Sequence, residues 1–67
     1  MIKIEEEKQV WDVDNKEFRK HIVGYCVSSD EKPIEFAQGS ILIETDHQDG
    51  LKVFVFNEAD NTWYAQN

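Results

Sequence analysis

The sequence predicts a mainly β or small α+β fold, built on a three-stranded antiparallel meander over about residues 40–66. Three short runs in this region are rich in β-branched and aromatic residues, and Asp, Asn and Gly lie between them. Hydrophobic residues make up 40% of the chain, too many for a disordered tail and too few for a membrane span. With 67 residues, the chain is expected to form one small domain over residues 1–67.

The N-terminal segment predicts an edge strand or an extended arm within residues 1–13. Ile2 and Ile4 alternate with charged residues, which is the period of a strand with one apolar face. Residues 5–8 are all charged and would oppose edge-to-edge pairing with another sheet.

Residues 15–23 allow two interpretations. Asp14 is followed three residues later by a glutamate, and apolar residues then recur at helical spacing, which predicts a short helix over about residues 15–23. Alternatively, the β-branched and aromatic residues of this region form one strand with a kink at Gly24. Both interpretations predict a strand over residues 25–28.

Residues 28–38 contain the only proline and are predicted to form a surface loop. Ile34 and Phe36 are the apolar residues of this loop, and we expect them to cover part of the sheet.

The meander consists of predicted strands over residues 40–45, 51–56 and 62–66. Gly50 can adopt the positive φ angle that closes the first loop. Asn61 is the residue of the second loop best suited to the left-handed conformation.

The central strand of the meander is apolar on both sides. By strand alternation, Leu51, Val53 and Val55 share one face, and Phe54 and Phe56 share the other. Such a strand is normally buried on both faces. The remaining residues are enough to cover one face, so we expect another chain to cover the second.

The net charge of −7 disfavours nonspecific binding to nucleic acids or anionic lipids. Trp11, Trp63 and Tyr64 are candidate stacking residues, but residues 34–67 contain six acidic residues against the single Lys52, which disfavours a nucleic-acid groove. The acidity does permit a different function, in which fixed carboxylates imitate DNA phosphates and the protein inhibits a nucleic-acid enzyme of the host.

One pair of residues resembles a cysteine nucleophile with its base. Cys26 follows His21 by five residues, and a reactive thiolate needs such a base. No third orienting residue accompanies them, and a small buried apolar cysteine is the favoured interpretation. We therefore expect no catalytic residue and no enzymatic activity.

Two segments have some features of metal sites. Residues 12–15 begin like a calcium loop, but the later ligands and the glycine of that motif do not follow. His47 lies beside Asp46 and Asp49 and could bind zinc weakly, although an exposed loop histidine is favoured. The sequence predicts no metal site and no cofactor.

The expected compartment follows from the single cysteine, which cannot form an internal disulfide. The first residues carry acids where a secretory signal has an apolar run. Synthesis in a host cytoplasm is the expectation, with no binding to membranes or to a small-molecule substrate.

Several short motifs resemble those of small uncharacterised proteins of tailed bacteriophages and prophages. They are Gly39-Ser40-x-x-x-Glu44-Thr45, Lys52-Val-Phe-Val-Phe-Asn57 and Asn61-x-Trp63, preceded by Gly24-Tyr-Cys-Val-Ser-Ser29. The resemblance covers about residues 24–66 and implies a gene product of a virion structural cluster. It implies no catalytic residues.

The combined expectation is a non-enzymatic minor structural or interaction protein of phage type, such as a capsid decoration, fibre-attachment or tail connector component. We expect it to associate with itself or with a larger, virion-associated assembly. The alternative is a small acidic inhibitor of a host nucleic-acid enzyme. The residues expected to make contacts, partly in the core and partly with a partner, are Trp11, Phe54, Phe56, Trp63 and Tyr64.

Overall fold

The computed structural model describes residues 2–66, which form a single five-stranded sheet. The strands are β1 (Lys3–Asp12), β2 (Glu17–Cys26), β3 (Ile41–Glu44), β4 (Lys52–Asn57) and β5 (Thr62–Ala65). They lie in the order in which they occur in the chain, and every neighbouring pair is antiparallel except the parallel pair β2–β3. The predicted mainly β fold is confirmed. Residues 2–66 include no helix with the length and apolar character needed to cross a membrane.

The helix predicted over residues 15–23 was wrong, because this segment forms most of β2. Phe18 and Ile22, the apolar residues at helical spacing, are four apart, which is an even number and also places them on one face of a strand. The β-branched and aromatic residues of β2 fit a pleated ladder, and β1 supplies a partner along almost its whole length. The predicted strand over residues 25–28 ends earlier, at Cys26.

β1 and β2 form a long antiparallel hairpin, in which β1 is the predicted edge strand. Asp12 organises the turn, since its Oδ1 accepts hydrogen bonds from the backbone N–H groups of Asp14 (3.1 Å) and Asn15 (3.2 Å). Lys16 closes the turn with a φ of 52°. The register shifts between Ile4 and Glu6, and this bulge interrupts the regular edge of β1.

The parallel pairing of β2 and β3 requires the chain to cross from one end of the sheet to the other, and residues 27–40 make this crossover. Its last part runs beside β2, where the Ala37 N–H donates to Lys20 O at 2.9 Å. The fully buried Ser40 hydroxyl donates to Ala37 O (2.9 Å) and accepts from the Ile22 N–H (3.2 Å). Ser40 therefore satisfies backbone groups before the regular β2–β3 ladder begins.

The predicted meander of the C-terminal half is present as β3, β4 and β5, with ends that lie within one residue of the prediction. Gly50 has a φ of 118° and Asn61 a φ of 57°, so both loops use the predicted residues in positive-φ conformations. Leu51 lies just before β4 and is 55% exposed.

Strand alternation and the cross-strand register divide the sheet into two faces. The covered face carries the fully buried side chains of Ile22, Leu42 and Phe56, together with Cys26 and Trp63. The open face carries Val23, Tyr25, Ile41, Ile43, Val53, Val55 and Tyr64. These seven side chains of the open face, which come from β2, β3, β4 and β5, are all half-buried or exposed.

The crossover lies over the covered face and completes the hydrophobic core. Phe36 packs against the cluster of Ile22, Cys26 and Leu42, as predicted for this loop residue, and its ring makes edge contacts with Phe56 and Trp63. The Trp63 indole N–H donates to a crossover carbonyl, that of Pro33, at 2.7 Å. Ile34, the other loop residue expected to cover the sheet, is instead 53% exposed.

Gly24→Ala is expected to destabilise the fold by about 1–3 kcal/mol, because the added Cβ would lie 2.5 Å from the backbone oxygen of Lys3. The clash is with backbone, so β1 must move away from β2. Urea unfolding measures the loss, and amide hydrogen exchange should be faster along β1 than in the wild type.

Gly50→Ala is the control, because its Cβ would meet no atom within 4 Å although its φ of 118° is strained for alanine. Its effect should remain in the β3–β4 loop. Unchanged exchange of β1 in Gly24→Ala would contradict the predicted displacement.

Candidate functional site

Cys26 and His21 do not form a catalytic pair. They are an odd number of residues apart on β2 and so lie on opposite faces of the sheet. Cys26 is a free, buried thiol with 2% exposure, and burial raises its pKa, which disfavours the thiolate. The His21 ring makes a 3.0 Å hydrogen bond with Gly39 O instead.

The segment that resembles the start of a calcium loop is the β1–β2 turn. Besides the two backbone N–H groups of the turn, the Asp12 carboxylate accepts a hydrogen bond from the Asn15 side chain at 2.8 Å. Asp12 Oδ2 is also 3.2 Å from Arg19 Nε. The carboxylate is therefore used to shape the turn and to hold Arg19.

Arg19 is the centre of an ionic cluster at the end of the sheet where the β1–β2 turn and the β4–β5 loop meet. Its Nε lies 3.2 Å from Asp12 and 3.4 Å from Glu58, and its Nη2 lies 3.3 Å from Glu17. Its Nη1 donates to Phe36 O at 3.4 Å. The side chain is 18% exposed, so one guanidinium joins the hairpin, the crossover and the second meander loop.

A cleft of about 580 Å³ opens beside this cluster, between the hairpin and the two loops. Trp11 and Val13 line one side, and Ala37 and Ala59 line the other. Of the charged residues that line the cleft, Asp12, Arg19 and Glu58 belong to the ionic cluster, and Asp14 also lines it.

The carboxyl groups of Asp12 and Glu58 affect each other directly. Hydrogen bonds from Asn15 and from Glu58 lower the pKa of Asp12 to about 2. The adjacent Asp12 carboxylate raises the pKa of Glu58, more than Arg19 lowers it. Glu58 is also held by Gln38, through reciprocal backbone-to-side-chain hydrogen bonds of 2.7 and 3.2 Å.

A second polar cluster lies at the opposite end of the sheet, around the buried carboxylate of Glu44. Its side chain is 6% exposed and contacts Lys32 Nζ at 2.5 Å and His47 Nε2 at 2.6 Å. These two hydrogen bonds lower the pKa of Glu44 despite its burial. Lys32 belongs to the crossover, and its Nζ also lies 4.3 Å from the centre of the Phe54 ring.

The donor atoms of Glu44, Asp46 and His47 lie within 4.8 Å of one another, so this cluster is where His47 could bind a metal. The sequence had suggested Asp49 in place of Glu44. Both carboxylates already accept hydrogen bonds from protein groups, since Asp46 accepts from the Ser28 hydroxyl (2.6 Å) and N–H (3.0 Å). The hydrogen bonds between Ser28 and Asp46 therefore attach the crossover to the β3–β4 loop.

The open face forms two apolar rows that run across the sheet. One row consists of Val23, Ile41, Val55 and Tyr64, which are consecutive cross-strand partners. The second row consists of Tyr25, Ile43 and Val53. Both rows are uncharged from β2 to the C-terminal strands, in a chain of which 31% of the residues are charged. This composition is typical of the centre of a protein interface.

The five residues expected to make contacts fall into different environments. Phe56 is fully buried and Trp63 packs against the core, so both belong to the covered face. Phe54 is half-buried on that face, below Lys32. Tyr64 is 47% exposed on the open face, and its hydroxyl donates to the Asp60 carboxylate. Trp11 is 51% exposed near the end of the hairpin. Its ring meets that of Phe18 edge-on, with the ring centroids 5.0 Å apart.

Sequence analysis missed both polar clusters. For Glu44, strand alternation contained the signal, because Glu44 is two residues after Leu42 and therefore faces the core with it. For Arg19 there was no local signal, since its partners Asp12 and Glu58 come together only through the strand order.

Comparison with known proteins found no match to this chain among protein-family models, curated proteins or solved structures.

Asp12→Asn should destabilise the protein at neutral pH, and the difference from the wild type should disappear in acid. A pKa lowered to about 2 means that ionised Asp12 stabilises the folded state above its ordinary pKa of 3.8. This contribution is lost as the pH falls through about 2. Thermal unfolding from pH 7 to pH 2 measures the trend, with Asp14→Asn in the same turn as the control.

Glu58→Gln should show the opposite dependence on pH. The raised pKa of Glu58 means that its stabilising contribution is complete below its ordinary pKa of 4.5 and is lost as the pH rises through the folded-state value. Relative to the wild type, the variant should therefore gain stability on going from pH 3 to pH 7. A parallel trend in the two variants would contradict the coupled pair.

Glu44→Gln should lower the free energy of unfolding by about 1–3 kcal/mol at pH 7, because it leaves the Lys32 ammonium without its carboxylate. Because the pKa of Glu44 is lowered in the folded state, its ionised carboxylate stabilises the fold fully at pH values above its ordinary pKa of 4.5. The difference in stability between the variant and the wild type should therefore shrink as the pH falls through the folded-state pKa. Urea unfolding measures it. Asp49→Asn, an exposed change in the adjacent β3–β4 loop, should be nearly neutral.

Proposed function

We propose that this chain is a non-enzymatic interaction protein that docks on a larger protein assembly through the open face of its sheet. The observation that supports this function is the pair of uncharged apolar rows across β2 to β5, whose side chains stay half-buried or exposed. Exposed, contiguous apolar surface of this kind marks interaction sites in soluble proteins.

A sheet face favours a protein partner over a small molecule. A small-molecule site is concave and encloses most of its ligand, whereas side chains on a sheet face stand on a gently twisted surface. A second layer of protein, packed about 10 Å away, is the usual cover for such a surface. Full burial of an exposed apolar side chain contributes about 1.5–3 kcal/mol, and the half-buried side chains of these rows would each gain part of that on docking.

The resemblance to small proteins of tailed bacteriophages suggests which assembly this is. On that basis the proposed assembly is a virion, in which the chain is a minor component of the capsid, tail or fibre attachment. Virion lattices present repeated protein surfaces, on which a small accessory protein gains its second cover from its neighbours.

Ile43→Thr is expected to release the protein from the assembly, because it removes apolar area from the centre of the open face while keeping a β-branched residue in β3. The measurement is density-gradient fractionation of a lysate from cells producing the phage or prophage that encodes the chain. Wild-type protein should sediment with particles that contain nuclease-resistant DNA, and the variant should remain near the top of the gradient.

Ile34→Thr is the matched control, because it makes the same change at a residue that is 53% exposed on the crossover, away from the open face. It should sediment with the particles. Wild-type protein that remains entirely outside the particle fractions would refute the proposed function.

A further inference from the structure

β5 is an edge strand, and no strand among residues 2–66 pairs with its outer side. In an antiparallel ladder every second residue bonds to the neighbouring strand, and the residues between them direct their backbone N–H and C=O groups away from it. The Gln66 N–H donates to Val53 O at 2.8 Å, which places residues 62, 64 and 66 in the set bonded to β4. Trp63 and Ala65 therefore present their backbone groups at the free edge of the sheet.

The two edges of the sheet differ in how well they are protected against pairing. Residues 5–8 of β1 are all charged, and the register shift between Ile4 and Glu6 interrupts its ladder. Charged side chains and bulges are devices by which natural sheets prevent edge-to-edge association. β5 has no charged residue, no proline and no register shift, and its residues other than Trp63 are exposed. The β5 edge is therefore the side on which this sheet is open to extension.

We propose that two copies of this chain pair through β5, antiparallel and about a twofold axis that passes beside Tyr64 perpendicular to the sheet. Trp63 of each copy then forms a hydrogen-bonded pair with Ala65 of the other copy, which gives four backbone hydrogen bonds in total. The two sheets become one sheet of ten strands. This interface goes beyond the proposed function, because it uses the edge of the sheet and leaves the open face of both copies accessible for docking.

The register follows from the positions of the outward backbone groups. A shift of two residues in either direction would leave one of the two outward residues of each β5 without a partner in the other β5. The proposed register also sets a large side chain against a small one on the covered face, where Trp63 is held by the crossover and Ala65 has only its Cβ. On the open face, Tyr64 lies directly opposite Tyr64 of the other copy, and aromatic cross-strand pairs stabilise antiparallel ladders.

The distribution of charge favours this edge for contact between two acidic chains. Each copy has a net charge of −7, so two copies repel each other in most orientations. Residues 61–66 carry no charge, and Asp60, the nearest acidic residue in the sequence, accepts a hydrogen bond from the Tyr64 hydroxyl. Antiparallel pairing places the two Asp60 residues toward opposite ends of the paired strands, so they do not face each other.

A second copy fits this edge better than an unrelated extended segment because it continues the open face. Tyr64 ends the apolar row that begins at Val23 on β2. Pairing at Tyr64 joins this row to the same row of the other copy, so one uncharged row crosses the whole ten-stranded sheet. The assembly also closes at two copies, because both β5 edges are used and the two remaining edges are the protected β1 strands.

Ala65→Pro is the first test, because proline has no N–H to donate and the Ala65 N–H is not used in the β4–β5 ladder. Sedimentation equilibrium of the purified chain from about 1 μM to 1 mM should show a reversible monomer–dimer equilibrium for the wild type. The dimer should be weak, because a ladder of four residues per copy buries less than the roughly 800 Å² per partner of a typical interface. The variant should dimerise at least about tenfold more weakly, since two of the four hydrogen bonds are lost.

Ala65→Ser is the matched control, because it changes the same residue and keeps the backbone N–H. It should dimerise like the wild type. Circular dichroism and urea unfolding establish that both variants are folded.

Cysteine cross-linking tests the register without a proline. In a glutathione redox buffer, Tyr64→Cys should form a disulfide-linked dimer, because the Cα atoms of a directly opposed, non-hydrogen-bonded pair are about 4.5 Å apart. Thr62→Cys is the matched control on the same strand and the same face. Its two copies would lie about 13 Å apart along the strands, which is too far for a disulfide, so it should remain monomeric in non-reducing gels.

A wild-type chain that is monomeric over the whole range, or equal cross-linking of Tyr64→Cys and Thr62→Cys, would overturn the edge-paired dimer. A folded Ala65→Pro variant that dimerises like the wild type would also overturn it. None of these measurements involves particles, so a monomeric chain leaves the proposed function of the open face standing. Failure of the wild-type chain to sediment with particles would in turn leave the dimer standing.

Discussion

The fold depends on the parallel pairing of β2 with β3. Parallel neighbours cannot be joined by a tight turn, so the chain must travel from one end of the sheet to the other across one of its faces. In this protein residues 27–40 form that connection. Among residues 2–66 they are the only extended segment that lies over a face of the sheet. One face is thereby supplied with a core, and the other is left open by the same choice of topology.

A crossover without regular secondary structure must satisfy its polar groups by other means, which explains the position of the two polar clusters. Lys32 fastens the early part of the crossover to Glu44 on β3, and the carbonyl of Phe36 accepts a hydrogen bond from Arg19 on β2. Pro33 has no backbone N–H to donate, and its carbonyl accepts a hydrogen bond from the Trp63 indole N–H. The side chains of Glu44, Lys32 and Arg19 thus hold the one segment between two strands that the sheet does not hold along its whole length.

Much of the C-terminal half could be predicted from local sequence. Its strands are short and β-branched, and Gly50 and Asn61 have few alternatives to the positive φ values that they adopt. The N-terminal half was harder, because a spacing of four residues between Phe18 and Ile22 fits a helix and a strand equally well. Its strand character depends on pairing with β1, which no local pattern records. The candidate site was predictable to a similar extent. The apolar residues on both sides of β4 indicated that one face of the sheet would need a partner, whereas the Arg19 cluster could be found only once the strand order was known.

The distribution of charge distinguishes the open face from the rest of the molecule. Its acidic residues are concentrated in the hairpin and in the loops at the two ends of the sheet, and the interior of the open face has none. A partner that approaches the hairpin or the loops therefore meets charged groups, whereas one that approaches the apolar rows meets uncharged side chains. Because the field of exposed charges decays over about 10 Å at 0.1 M salt, the surrounding charges act on the direction of approach more than on contacts at the centre of the face. The absence of charge from the rows thus sets the open face apart as the surface of this acidic chain on which apolar contacts form without the desolvation of charged groups.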